Sequence, residues 1–407
     1  MLRLNFIMFI VVITIGSVCL AQTNVGGTIN VNTTWDLAGS PYTLTSDVLI
    51  PNNILLTIDP GVEIFAPLNR TIIVNGILNA NGISGNPILF SAVDTTKLWR
   101  GVSFATGSSG TMSYCIMEFC TKGVSATNML PVLSNCTFRK NQTGLYVEGG
   151  TPVLNSNNNF ESNTYVGINF YNSSSSSISN QTFVNNTGSY GAILMQNCGV
   201  FTIGSGNNIS GNSWPLSIDM NSAPSAGCIL PNAGNTNNGI QIAFSSMSQA
   251  LSWPDIGVSY ILPNTATVGS SGSLTIEAGV IVSVSYSRGL IIQGTLNANG
   301  TSDNPILFTA VDTTRLWGGV SFATGSSGTM SHCVIEFCTK GVSATNMLPV
   351  LTNCTFRKNQ TGLYVAGGTP VLSSINNFEA NTQVGINFYN CSRSPTPHLR
   401  GLLANQW

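Results

Sequence analysis

Apolar residues in this chain come in short alternating runs, and the runs recur. The clearest is Leu133-Ser-Asn-Cys-Thr-Phe138-Arg-Lys-Asn141-Gln-Thr-Gly144-Leu145. It returns as Phe160, Asn163 and Gly167-Ile168, then as Phe183, Asn186 and Gly191. A less regular version precedes it at Met117, Cys120 and Gly123-Val124. The step is ~21 to 24 residues, in the range of stacked-repeat folds. Apolar positions alternate with polar ones and are filled by β-branched and aromatic residues, with no helical period. Each unit reads as an apolar strand, an Asn-bearing bend, a Gly turn and a second short strand. No unit can bury its own apolar face, so the units must stack. The pattern predicts an all-β parallel solenoid, one coil per step. With ~17 coils at ~4.8 Å each, the body should be a rod ~80 Å long.

A longer period contains the shorter one. Residues from about Trp35 to Asn172 recur without a gap as Trp253 to Asn390, always 218 residues on. Between Asp94–Leu154 and Asp312–Leu372 only a handful of positions differ, among them Lys97/Arg315, Tyr114/His332 and Glu148/Ala366. Even the loop Ala105-Thr-Gly-Ser-Ser-Gly-Thr-Met returns unchanged. Packing rarely holds exposed loop residues, so this identity implies recent duplication and not chemical constraint. The expected organisation is a leader at 1–21, a first β-helix copy at 22–205 and less regular joining coils at 206–252. A second copy at 253–391 and an irregular tail at 392–407 complete it. The period weakens from Gly206 to Asn238, where a break in the rod is expected if there is one.

Residues 1–21 read as a secretory signal, with Arg3, the apolar run Phe6 to Ile15 and the small-residue site Val18-Cys19-Leu20-Ala21. An uncleaved N-terminal anchor is the other reading. No later run is long and apolar enough for a membrane span. Charged residues make up 7% of the chain and the net charge is −1. That balance excludes a basic nucleic-acid surface and argues against a groove lined with Lys and Arg. Cleavage would leave nine cysteines, in an oxidising compartment. Cys115 and Cys136, like Cys333 and Cys354, fall at one place in neighbouring coils. Stacking allows a disulfide by distance but sets the Cβ directions nearly parallel. Reduced thiols packed inward are the expected state, and no cysteine or histidine cluster has metal-ligand spacing.

Several segments together carry a family resemblance. They are Leu56-Thr-Ile-Asp-Pro-Gly-Val-Glu-Ile64, Val74-Asn-Gly-Ile-Leu-Asn-Ala-Asn-Gly82, Asn86-Pro-Ile-Leu-Phe90 and Leu98-Trp-Arg-Gly-Val-Ser-Phe104, followed by the Asn–Cys–x–Phe coils. In this order they resemble the secreted right-handed parallel β-helix repeat proteins of the pectin-lyase-like fold, found on bacterial cell surfaces. The resemblance covers nearly all of the chain beyond the leader. It implies three parallel sheets, an Asn ladder at one bend and a groove along one face. It says little about activity, since this fold carries lyases, hydrolases, adhesins and scaffolds. The tail departs from the pattern at Asn390-Cys-Ser-Arg-Ser-Pro-Thr-Pro-His398. A truncated chain or a frameshifted end would account for it, and either would omit a C-terminal anchoring domain.

The lyases of this superfamily use acidic calcium ligands with an Arg or Lys base, and its hydrolases use several clustered Asp. Here no Asp-Asp pair, Asn-Thr-Asp, Gly-His-Gly or Arg-Ile-Lys occurs. His332 and His398 lack a nucleophile or metal partner in sequence. One charge constellation stands out: Glu118, Arg139 and Glu161 share a slot in successive coils, repeated as Glu336, Arg357 and Glu379. The outer carboxylates of an outward ladder would lie ~9 to 10 Å apart, near the spacing of an inverting glycosidase. Against this, opposite charges on adjacent strands pair directly, and an intervening guanidinium favours the ionised carboxylate, the wrong form for a general acid. The ladder is therefore expected to be structural.

Trp99 and Trp317 are weak candidates for stacking on sugar rings, with packing at a strand entry as the alternative. Tyr146 and Tyr364 alternate with inward Leu and Val, so they should face outward and could contact sugar. Sequons such as Asn69-Arg-Thr and Asn141-Gln-Thr matter only in a glycosylating host. No cofactor is indicated. The expected function is a non-catalytic secreted or cell-surface β-helix protein, acting as adhesin, scaffold or carbohydrate-binding module. Its partner would be an extracellular polysaccharide or cell-surface glycan. The alternative is a polysaccharide lyase or glycoside hydrolase. Three internal details follow from the register: an inward stack of Phe138, Phe160 and Phe183, Cys115 above Cys136, and an Asn141–Asn163–Asn186 ladder ending at Cys120.

Overall fold

The computed structural model describes residues 22–231, 233–372 and 374–392. They wind into an all-β parallel solenoid of about 16 turns. One 3₁₀ turn, Leu37–Gly39, is the only helical element among the described residues. The expected leader, most of the expected tail and His398 lie outside the described residues.

Most coils supply three short strands, as in Cys115–Glu118, Lys122–Thr127 and Val132–Ser134. We call the faces they build the first, second and third. Each strand pairs in parallel with its counterparts one coil away, so that Met117 lies opposite Phe138 and Phe138 opposite Phe160. Period-two alternation sets the core: Met117, Val124, Ala126 and Leu133 are buried, while Ile116 and Ser125 point outward and are only half-buried.

The expected interior is present. Phe138 and Phe160 stack with ring centroids 4.9 Å apart, and Phe160 and Phe183 with centroids 5.2 Å apart. Phe356 and Phe378 repeat the stack at 4.9 Å in the second copy. The nine described cysteines are free thiols, eight of them buried. Cys115 Sγ donates to the carbonyl of Ala80 at 3.2 Å, and burial holds its thiol well above the usual range.

The Asn ladder is also present. The backbone N–H of Asn141 donates to Asn163 Oδ1 and that of Asn163 to Asn186 Oδ1, both at 3.1 Å. It ends at Cys120 as expected, where the backbone N–H donates to Asn141 Oδ1. At the other end it runs further than the sequence pattern indicates, through Asn212 to Asn235. The ladder Asn is not itself the left-handed residue of the bend. That conformation falls one position earlier, at Phe119, Lys140, Ser162 and Asn185, with φ between 54° and 58°. The chain turns there, and the next N–H then meets the side chain of the following coil. A mixed Asn/Gln ladder lines another bend, where Cys136 N–H donates to Asn158 Oδ1 and Asn158 Nδ2 to Gln181 Oε1.

The weakly periodic segment does not break the stack. Leu216–Asp219 pairs with Ile240–Phe244, which pairs with Tyr260–Leu262, and that strand with Ile281–Val284. Between Pro224 and Ile240 no described residue is in a strand, but Asn235 keeps the ladder. Leu216–Asp219 continues the second face of the first copy. Ile281–Val284 is the counterpart of Glu63–Ala66, a first-face strand. Along this stack the second copy therefore sits one face out of phase with the first.

Candidate functional site

The strand register brings Glu118, Arg139 and Glu161 into one slot of three coils. Arg139 Nε donates to Glu118 Oε2 at 2.8 Å, and Ser91 Oγ from the preceding coil donates to Oε1 at 2.9 Å. Glu118 is only 8% exposed, so the expectation of an outward ladder open to water is corrected. Glu161 is not the third member. Its Oε2 accepts from Asn159 Nδ2 at 2.9 Å, and Arg139 is committed to Glu118. The second copy repeats the pair between Arg357 Nε and Glu336 Oε2 at 2.7 Å. Thr309 supplies the hydroxyl there, and Glu379 accepts from Asn377. Both oxygens of each buried carboxylate are engaged, which suits a structural anchor between coils.

The tryptophan candidates are corrected too. Trp99 and Trp317 are fully buried. Their indole N–H groups donate to the carbonyls of Glu118 and Glu336, at 3.1 and 2.9 Å. Neither ring is open to a sugar. Tyr146 and Tyr364 point outward as alternation predicts. A lysine already covers each ring face: Lys122 Nζ is 3.3 Å from the Tyr146 centroid and Lys340 Nζ 3.6 Å from that of Tyr364. The Tyr146 hydroxyl donates to Glu148 Oε2 at 3.3 Å, and burial pushes its pKa up to about 12. His332 sits at φ 48°, with Nε2 3.2 Å from Asn353 Nδ2. Asn141 of one sequon is fully buried, while Asn69 of the other is exposed. Among the described residues no three His, Cys, Asp or Glu side chains gather in a way that would hold a metal.

Sequence reasoning missed a groove on the second face of the first copy. It is an open concavity of about 590 Å³ whose lining includes Asn69, Thr71, Arg100, Ser103, Lys122 and Ser125. Two of its lining residues are cations, Arg100 and Lys122, although the chain as a whole is sparsely charged. Low total charge does not prevent local concentration, because stacking aligns residues about 22 apart in sequence. A signal was present: Arg100, replaced by Gly318, is among the few differences in the near-identical stretch. A smaller neutral concavity of about 370 Å³, with Asn52, Asn53, Asn75 and Thr106 in its lining, lies elsewhere on the first copy.

Residues 77–250 and 258–398 match the family described as a right handed beta helix region. Comparison with curated proteins and with solved structures gives no match.

Proposed function

We propose, from the premise that the chain belongs to the right-handed β-helix family, that it is a non-catalytic extracellular scaffold that binds carbohydrate. The observation that carries the non-catalytic reading is the state of Glu118. Both its oxygens are engaged, by Arg139 and by Ser91. A general acid or base must reach a substrate atom or a water, and this carboxylate is turned into the stack. Glu336 repeats the arrangement with Arg357 and Thr309. Export is supported by the leader-like pattern of residues 1–21. No described helix is long and apolar enough to cross a membrane. The outward Ser103 and Ser125 and the exposed Asn69 in the groove support carbohydrate as the ligand.

The test is a screen of the purified full chain on acidic and neutral polysaccharides, following retention together with new reducing or unsaturated ends. Retention without new ends is expected. Release of ends, lost in the double variant Glu161→Gln and Glu379→Gln, would place the protein among lyases or hydrolases instead.

A further inference from the structure

We propose that the second face of the first copy binds a linear acidic polysaccharide along a column of three cations, Arg70, Arg100 and Lys122. This rests on the carbohydrate-binding reading and names its site and ligand class. Thr71 lies opposite Gly101, and Val102 opposite Val124. The three cations therefore occupy one position in three consecutive coils, at steps of ~4.8 Å. The backbone N–H of Arg100 donates to the Arg70 carbonyl at 2.8 Å, which fixes two of the rungs directly.

Like charges on adjacent strands repel. At the Glu118–Arg139 pair the chain alternates signs, and the pair closes on itself. The cation column is paired only at one end, where Asp47 meets Arg70. Its nearby carboxylates are Asp47 and Glu148. Asp47 Oδ1 lies 3.9 Å from Arg70 Nη1 and also accepts the Thr71 N–H. Glu148 takes the Tyr146 hydroxyl and influences Lys122 only through space. Lys122 is held over the Tyr146 ring. Arg100 is exposed, and its guanidinium has no ion pair or hydrogen bond among the described residues. A same-sign column costs stability unless something anionic lies on it, and guanidinium groups take carboxylates in paired hydrogen bonds.

The groove beside the column selects the polymer. Ser103 and Ser125 stand on successive rungs of the outward row that leads to Tyr146, and Thr71 and Asn69 line the same concavity. The outward row is mixed, with apolar Ile73 opposite Ser103, and with cations repeating along its edge it fits the apolar ring faces and hydroxyls of a sugar chain that carries an acidic group on successive units. A nucleic acid would need a wider positive field than a chain with 14 Lys and Arg and a net charge of −1 provides. The second copy supplies an internal comparison. Its equivalents are Arg288, Gly318 and Lys340, and Gly289 replaces Thr71, so its column lacks the middle cation.

The test uses the full chain and measures binding of alginate oligomers, a neutral β-glucan and a single-stranded DNA oligomer at low and high salt. Alginate should bind, more weakly as salt rises. Arg100→Gly, which copies the second repeat, should weaken it by about tenfold or more, as expected for loss of a direct charged contact. Melting without ligand should hold or rise, since the exposed middle cation is removed from between two like charges. Gly318→Arg, added to Arg100→Gly, should restore binding by completing the other column. A Cβ there would sit 3.0 Å from the Arg288 carbonyl oxygen, where the first copy already seats an arginine on Arg70. Unchanged alginate binding in Arg100→Gly overturns the proposal, as does DNA binding as tight as alginate. Retention of neutral glucan alone sinks the column and leaves the carbohydrate reading standing, whereas retention of neither glycan sinks both.

Discussion

Trp35 and Tyr42 begin the first copy, and Trp253 and Tyr260 begin the second in the middle of the stack. The rings make the same contact in both places, with centroids 4.9 Å apart in the first pair and 4.7 Å in the second. What covers them differs. Tyr42–Ile50 carries the strand Thr23–Thr28, whereas Tyr260–Leu262 lies on Ile240–Phe244 from the joining coils. Trp35 and Tyr42 keep 4% and 5% exposure, and Trp253 and Tyr260 none. Tyr42–Ile50 is one strand, while its counterpart is split into Tyr260–Leu262 and Ala266–Val268. Pro263, which has no N–H for a ladder, stands at the split. Local sequence thus sets the plug, and the neighbouring coil sets only how deeply it is buried. That is the behaviour of a solenoid whose units feel nearest neighbours.

The strongest break in this comparison comes from removing the plug at each place. Trp253→Ala should cost ~3 to 5 kcal/mol through lost burial and a cavity. Because it sits at the joint, it should also let the two copies open separately. Trp35→Ala should cost less and leave the joint intact. Hydrogen exchange read separately over residues 55–205 and 273–385 checks this. Equal costs, or equal loss of protection in both copies from Trp253→Ala, would contradict the nearest-neighbour view.

The phenylalanine stack sharpens the comparison. Phe160 is fully buried between Phe138 and Phe183. Phe378 is half-buried and stacks on Phe356. Phe160→Ala should cost ~3 to 5 kcal/mol, with the loss confined to neighbouring coils. Phe378→Ala should cost about half as much, since less surface returns to water. Denaturant titration of the two variants decides it, and a larger loss at Phe378 would reverse the ranking.

Much of this was legible because a solenoid turns sequence spacing directly into spatial register. The step between Phe138, Phe160 and Phe183 gave the ring stack, and Asn141, Asn163 and Asn186 gave the ladder. Features that depend on side-chain reach across coils were less legible. Ser91 reaches Glu118 from a coil whose sequence does not fit the template, so the depth of that carboxylate was hidden. Trp99 is drawn inward by the Glu118 carbonyl, a partner no pattern displays. The cation column escaped because Arg70, Arg100 and Lys122 are separated by unequal steps of 30 and 22 residues. The longer step holds an extra loop, which the period alone does not align.

The ladder offers the next test. Asn163 accepts the Asn141 N–H and donates to the Phe138 carbonyl and to Asn186 Oδ1. Asn163→Ala would leave a buried donor and acceptor unpaired and should cost ~2 to 4 kcal/mol. Asn381 makes the equivalent bonds to Asn359 and Phe356 but is 6% exposed, where Asn163 shows none. Water can partly replace its side chain, so Asn381→Ala should cost less. Thermal melts of the two variants would expose the error if Asn381→Ala proved the more damaging.

The smallest effect separates two carboxylates of one slot. Glu118 is buried and bonded on both oxygens, and its partner Arg139 has a side chain 37% exposed. Glu118→Gln keeps the shape and loses the charge, so it should cost ~1 to 2 kcal/mol, reduced by the solvent that reaches the guanidinium. Among the described residues the Glu161 carboxylate has no ion pair and accepts only from Asn159, so Glu161→Gln should change stability by less than ~1 kcal/mol. The pair Glu336 and Glu379 should give the same ordering, because Arg357 and Asn377 hold them in the same way. If Glu161→Gln costs as much as Glu118→Gln in denaturant titrations, Arg139 is shared between both carboxylates in solution. The slot would then be a charge triad after all, and glycan cleavage by the Glu161→Gln, Glu379→Gln double variant would become the decisive measurement.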